Sequence, residues 1–409
     1  MNNQIEYNNS IKKIFYAEAD YSQDEIDAVI DVLKNNRLSL MGGKKVKILE
    51  QKVSNIFNKS YGLMVNSGSS ANLIAFLSLK LEKGTKVITP SLTFSTTIAP
   101  IVQSNLIPYF VDVEEETLQI NTSRLKEMDL ENVSAICVPN LIGNIANWND
   151  IYNFAKENKL KIIEDSADTI GYTYKTKIEN WSDITTTSFY ASHVITGAGF
   201  GGMVSYANAM EYNNGLSLRG WGRRSCLYGE IEDYQRRFSV KIDGIDYDDK
   251  YVFDEIGYNF LPSEISAAFA LVQLKKLNEN IRKRSINFNF LSNKFSSSSN
   301  FYIPITYDNV ETGWLAFPLI LKNKLASKRK EIQTFLEKAG IQTRTIFSGN
   351  IMRHPVANKF QWDKYGTFEV SDEIMKSGLL LGIHNRQSQD NLNYIVNKVF
   401  EAEYIFANS

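Results

Sequence analysis

Short apolar runs alternate with stretches of helical spacing through the first half of the chain. Gly62-Leu63-Met64-Val65 precedes a helical pattern from Ala71 to Leu81, and Lys86-Val87-Ile88-Thr89 precedes one from Ile98 to Gln103. Ser134-Ala135-Ile136-Cys137-Val138 precedes a third from Trp148 to Lys159, and Lys161-Ile162-Ile163-Glu164 begins the next unit. Brief runs bounded by turn residues read as strands, and apolar positions three to four apart read as helices. The repeated β-then-α order, continued to about 206, predicts an α/β fold: a mostly parallel central sheet with helices on both faces. Ahead of it, Ser22-Gln23-Asp24-Glu25 has the form of a capping box, followed by Ile26, Val29, Ile30 and Leu33 at helical spacing. Behind it, a long helix is expected from about Ser263 through Leu277 towards Asn287, then a polar loop, Ser296-Ser297-Ser298-Ser299-Asn300. Strands near 313–321 and helices near 326–339 and 387–404 complete a smaller C-terminal α/β domain. The expected division is an N-terminal arm and helix over 1–40, a large domain over 41–285 and a small domain over 286–409.

Composition narrows the function classes. With 409 residues, 43% of them hydrophobic, the chain can bury a large core. A net charge of -1 with interspersed signs offers no broad basic field, so nucleic acid is not an expected partner. No apolar run reaches the roughly 18 residues of a membrane helix, and the N-terminal residues lack the basic and apolar segments of a secretory signal. Two cysteines, Cys137 and Cys226, make no disulfide framework. A cytoplasmic enzyme is the expectation.

Ligands in open α/β sheets lie beyond the carboxyl ends of the strands, so polar residues there come first. Asn66-Ser67-Gly68-Ser69-Ser70-Ala71-Asn72 turns from strand to helix, with free N–H groups and hydroxyls suited to a phosphate, although similar turns cap helices that bind nothing. Asp165 ends a buried strand, where a carboxylate needs a partner. That partner is either a neighbouring helix end or the protonated nitrogen of a ligand ring. Phe94, after the second strand, is either plain core or a cover for such a ring.

Together these segments resemble the sugar-nucleotide branch of the fold-type I pyridoxal phosphate enzymes, the DegT-type aminotransferases. The resemblance spans nearly the whole chain: Val65 to Asn72, Ile88 to Phe94, Phe110 to Val113, Glu164-Asp165, Ser188 to Gly202, and Gly257-Tyr258-Asn259 followed by Ala267 to Leu274. It implies that 41–285 binds the cofactor, with Gly68, Ser69, Ser70 and Ser188 at its phosphate, Asp165 at its ring nitrogen, Phe94 over its face and Asp168 also against it. Asn259 would reach the phosphate from a second subunit, which implies a homodimer with shared sites.

In those aminotransferases a lysine at the position of His193 anchors the cofactor, the position of Tyr190 is commonly His, and that of Asp168 is commonly His or Gln. Here all three differ, and no lysine occurs between Lys177 and Lys241. Asp168, Tyr190 and His193 resemble the subgroup of 3-dehydratases that remove the C3 hydroxyl of nucleotide-linked 4-keto-6-deoxy sugars. Lysine is a nucleophile, whereas imidazole is a proton shuttle near neutral pH. The resemblance thus implies untethered pyridoxamine phosphate, whose amine meets the sugar's C4 ketone while His193 moves a proton at the cofactor's C4′. Tyr190, Arg344, Gly349 and Asn350 resemble residues on the sugar-nucleotide side, an arginine there suiting diphosphate.

One branch of that subgroup passes electrons from a reductase through a cysteine-held iron–sulfur cluster to a CDP-sugar. The other has no cluster, takes its amino group from L-glutamate and releases ammonia. The common cluster needs four thiolates and this chain has two cysteines, which favours no cluster and a GDP-linked hexose or heptose. Against this, Leu218 to Cys226 and Tyr228 to Tyr251 are similar to the cluster-bearing branch, and Gly197-Ala198-Gly199-Phe200-Gly201-Gly202 lacks the usual Glu. The alternatives are the reductase-coupled enzyme, a true aminotransferase, and a silent relative that only binds sugar nucleotide. Random decay of the lysine does not account for the matching changes at 168 and 190.

Overall fold

The computed structural model describes residues 13–175, 178–228 and 233–407; residues 1–12 of the expected arm lie outside that set. Eight strands form the central sheet in the order Tyr61–Val65, Gly202–Tyr206, Ile184–Ser188, Lys161–Ser166, Val133–Pro139, Lys86–Pro90, Ile107–Val111 and Asp363–Lys364. Only Gly202–Tyr206 runs against its neighbours; the other pairs are parallel.

Consecutive residues of the central strands feed two cores, as expected of a sheet buried on both faces. Val87, Ala135 and Ile163 pack with Ile74, Phe76 and Val204 on one face. Ile88, Ile136 and Ile162 pack with Trp148, Ile151 and Phe154 on the other. Each such valine, isoleucine or phenylalanine, fully buried, stabilises the fold by roughly 1.5–3 kcal/mol. This sheet carries the strand-end turns outlined above.

A second, antiparallel sheet is ordered Phe301–Tyr302, Phe317–Leu321, Gly378–Leu381, Thr343–Thr345. Helices Arg329–Lys338 and Gln389–Ala407 bear Leu336, Ile395 and Val399, which share a core with its Leu319, Ile320 and Leu381. That core continues into Ile14, Leu92, Val113 and Leu141 beside the large sheet.

Two local expectations change. The long helix is two, Glu264–Lys275 and Leu277–Phe295, divided at Lys276. Helix Gln23–Asn35 forms, with the Ser22 N–H donating to the Glu25 carboxylate at 2.9 Å, but its apolar Ile26, Ile30 and Leu33 are exposed. Glu25 and Val32 are buried instead, because Glu25 accepts from Lys276 Nζ and Gln273 Nε2, both at 2.7 Å. A buried carboxylate needs those donors more than three aliphatic side chains need cover. No described helix is long and apolar enough to cross a membrane.

Candidate active site

A cavity of about 730 Å³ opens at the carboxyl ends of the central strands, lined by Gly68, Ser69, Phe94, Asp165, Asp168, Ser188, Tyr190 and His193. One wall is the turn from Tyr61–Val65 into helix Gly68–Leu79. The Ser67 hydroxyl caps that helix, accepting from the Ser70 N–H at 3.1 Å. Gly68 is there for space: a Cβ on it would stand 2.7 Å from Ser188 Cβ. The buried Asn66 Oδ1 has no hydrogen-bond partner among the described residues. The Gly201 N–H reaches across to the Asn66 carbonyl at 2.9 Å, with Gly201 at φ 117°, so the altered 197–202 loop is tied to this same turn. Phe200 of that loop lines the cavity and is largely exposed.

Asp165 is the buried charge of the site. Its Oδ2 accepts from Asn72 Nδ2 and Thr97 Oγ1, both at 2.8 Å, and its Oδ1 from the Ala167 N–H at 3.2 Å. Burial raises its pKa against these donors, so a cation in the cavity would be held by it and would stabilise it in return. Neighbouring Glu164 faces elsewhere, accepting from Asn140, Trp181 and Thr185 at 3.0 Å, which fixes the strand end. Asp168, half-buried, accepts the Ile142 N–H at 2.9 Å. Desolvation, and then the nearby Asp165 charge, lift it to about 7 despite that bond. Ile142 is held at φ 62°, an unusual backbone for a β-branched residue.

His193 lies on a turn whose flanking Phe189, Val194 and Ile195 are buried. Its Nδ1 stands 3.3 Å from the Ser188 carbonyl. A carbonyl only accepts, so Nδ1 carries the proton and Nε2 keeps the free lone pair. Burial lowers its pKa to about 4, a change opposed by the Ser188 bond and reinforced by Arg284. The imidazole is therefore neutral at physiological pH, the form that accepts a proton. The Tyr190 ring meets it edge-on, centroids 5.7 Å apart.

The other expected site residues lie outside this cavity within one chain. Ser70 is buried in the cap. Asn259 Oδ1 accepts from the Leu261 N–H at 3.4 Å. Arg344 stacks its guanidinium over the Tyr16 ring at 5.3 Å. Gly349, at φ 59°, packs on Met375, and buried Asn350 donates to Asp372 at 2.7 Å. Sequence reasoning missed Asn72, Thr97, Arg284 and Tyr16. A search for donors to Asp165 could have found the first two, which sit one helical turn or less past the strand-end turns; nothing local marks the others.

The DegT/DnrJ/EryC1/StrS aminotransferase family matches residues 19–400. The chain is 32% identical over 390 residues to a dTDP-4-dehydro-2,6-dideoxy-D-glucose 3-dehydratase of Saccharopolyspora spinosa, spanning 92% of this chain and 84% of that one. It is 31% identical over 393 residues to a GDP-4-keto-6-deoxy-D-mannose 3-dehydratase of Yersinia pseudotuberculosis, spanning 93% and 96%. The fold matches a GDP-4-keto-6-deoxymannose-3-dehydratase solved with a trapped PLP-glutamate geminal diamine at TM-score 0.84 and 27% identity, over 95% of this chain and 100% of the other. By the extent of the first match, this chain belongs to the DegT/DnrJ/EryC1/StrS aminotransferase family.

Proposed function

We propose that this chain is a pyridoxal/pyridoxamine phosphate-dependent dehydratase that removes the C3 hydroxyl of a GDP-linked 4-keto-6-deoxy sugar, hexose or heptose, with L-glutamate as amino donor. One observation carries the reading: His193, not a lysine, stands in the cavity with Asp165, and among the described residues no lysine lines that cavity. Similarity to 3-dehydratases and to the glutamate-adduct structure supports it.

The site fits the cofactor. The Gly68-Ser69 turn and Ser188 offer a phosphate cradle, Asn66 Oδ1 an unpaired acceptor, and Asp165 a buried anion for the protonated ring nitrogen. When bound, the cofactor supplies an amine for the sugar's C4 carbonyl and a ring that takes up electrons. Asp165 keeps the ring nitrogen protonated, Phe94 covers one ring face, Asp168 borders the cofactor and Tyr190 borders the reacting sugar. Neutral His193 moves a proton at the cofactor's C4′ as the C3 hydroxyl departs. No amine at residue 193 competes for the cofactor, so the C4 nitrogen leaves as ammonia. The balance is one ketosugar and one L-glutamate in, one 3-deoxy ketosugar, one 2-oxoglutarate and one ammonia out.

Phe94, Tyr190 and Phe200 are 49%, 59% and 68% exposed in a single chain although they line the cavity. This supports a homodimer whose second subunit covers the mouth and brings Asn259 to the cofactor phosphate, while Arg344, Gly349 and Asn350 approach the nucleotide from the chain that carries Tyr16. The product suits 3,6-dideoxysugar supply for surface polysaccharide, made in the cytoplasm. The dTDP-sugar relative favours a second nucleotide. The test is holoprotein with L-glutamate and the GDP-, dTDP- and CDP-linked 4-keto-6-deoxy sugars, following ammonia and the sugar product. Ammonia matching 3-deoxy product with the GDP sugar is expected. Turnover only with an added reductase, or a stable 4-amino sugar, would overturn the proposal.

A further inference from the structure

The N-terminal arm brings into this cavity a side chain with no role so far. Its course is fixed by backbone bonds: the Ile14 N–H donates to the Gly340 carbonyl at 2.8 Å, the Gln342 N–H to the Ile14 carbonyl at 2.9 Å, and Gln387 Nε2 to the Phe15 carbonyl at 3.1 Å. The Tyr16 N–H donates to Gln342 Oε1 at 3.2 Å. Gly382 lies so close beneath the arm that a Cβ there would stand 2.5 Å from the Tyr16 carbonyl oxygen. Arg386 pairs with Glu18 at 2.9 Å a turn further on. Such fastening holds the Tyr16 backbone in place at the cavity wall.

Tyr16 lines the same cavity as Asp168 and His193. Its ring supports the Arg344 guanidinium, and its hydroxyl makes no hydrogen bond to any described residue. Burial, and then the Asp168 charge, hold the phenol proton in place against the pull of Arg344 and Arg284. The group is thus a hydrogen-bond donor with no protein acceptor. Arg284, buried, gives its own donors to the Leu315 and Trp314 carbonyls at 2.9 and 3.3 Å, so it does not serve the phenol.

We infer that Tyr16 is a substrate-binding residue: its hydroxyl donates to a ring hydroxyl of the nucleotide-linked sugar, and its ring supports Arg344 beside the diphosphate. This rests on the sugar-nucleotide reading above. It places the arm in the substrate site, where one phenol links the sugar end of the ligand to its charged end.

The test uses the pyridoxamine phosphate holoprotein, with calorimetric binding of GDP and of GDP-mannose. Tyr16→Phe keeps the ring and deletes the donor. It should leave GDP affinity unchanged and weaken GDP-mannose about 5- to 10-fold, the worth of one neutral hydrogen bond. Tyr16→Ala should weaken GDP as well. With GDP-4-keto-6-deoxymannose, kcat/KM of Tyr16→Phe should fall at least as far. Unchanged GDP-mannose affinity in Tyr16→Phe, or an equal loss for GDP, would overturn the inference. If wild-type protein turns over no ketosugar yet the binding difference holds, the dehydratase reading falls and Tyr16 stands; if it binds neither nucleotide, both fall.

Discussion

Replacing Asp168 by Asn should stabilise the protein while disabling it. The Asn Oδ1 can still accept the Ile142 N–H, so only the charge is lost. Desolvation lifts Asp168 from 3.8 to about 7, and at about 1.4 kcal/mol per tenfold change in proton affinity this is a ceiling of about 4 kcal/mol. Asp168 faces a cavity that admits water, which reduces the effect to about 2 kcal/mol. The sign follows from the raised value: between pH 4 and 7 the unfolded chain has released a proton that the folded chain retains. This contribution is full below pH 4 and is lost as pH rises through 7. The variant lacks that loss. Urea denaturation of cofactor-free protein at pH 5, 6, 7 and 8 should show the variant gaining on wild type up to about pH 7 and level beyond. Ketosugar turnover should fall in the same variant, since charge strained at a site serves function rather than stability. A gap that does not change with pH, or a less stable variant at pH 8, would refute the reasoning.

Asp165→Asn removes the buried anion, so pyridoxal phosphate should bind more weakly and turnover should drop about 100-fold or more, read by equilibrium dialysis and product formation. Gly68→Ala puts a Cβ 2.7 Å from Ser188 Cβ and should destabilise the fold by about 1–3 kcal/mol as well as weaken cofactor binding; unaltered cofactor affinity in the folded variant would remove the turn from the phosphate site. With only three histidines in the chain, ring-nitrogen NMR can follow His193 directly. Burial holds it near 4, so its imidazole should stay neutral down to about pH 5, and protonation near 6.5 would contradict the geometry.

The central sheet was legible because each buried strand is a short β-rich run closed by turn residues, and the site because such strands deliver polar residues at one end. Asp165 was singled out in this way, whereas Ser188 and His193 were singled out by the resemblance to the DegT-type enzymes. What stayed hidden depends on contacts distant in sequence. Tyr16 reaches the cavity only because residues 340–342, 382 and 387 fix the arm. The buried face of helix Gln23–Asn35 is decided by Lys276, some 250 positions away. The reversed direction of Gly202–Tyr206 is a matter of pairing that periodicity does not encode.

The claim that His193 moves the proton at the cofactor is tested most directly by comparing wild type and His193→Asn with GDP-4-keto-6-deoxymannose and L-glutamate. Wild type should release one ammonia per 3-deoxy sugar. His193→Asn should retain added pyridoxamine phosphate yet form little of it from pyridoxal phosphate and glutamate, a conversion that needs the same proton at C4′, and should release no ammonia from the sugar. Ammonia and 3-deoxy product from His193→Asn at the wild-type rate would contradict the account.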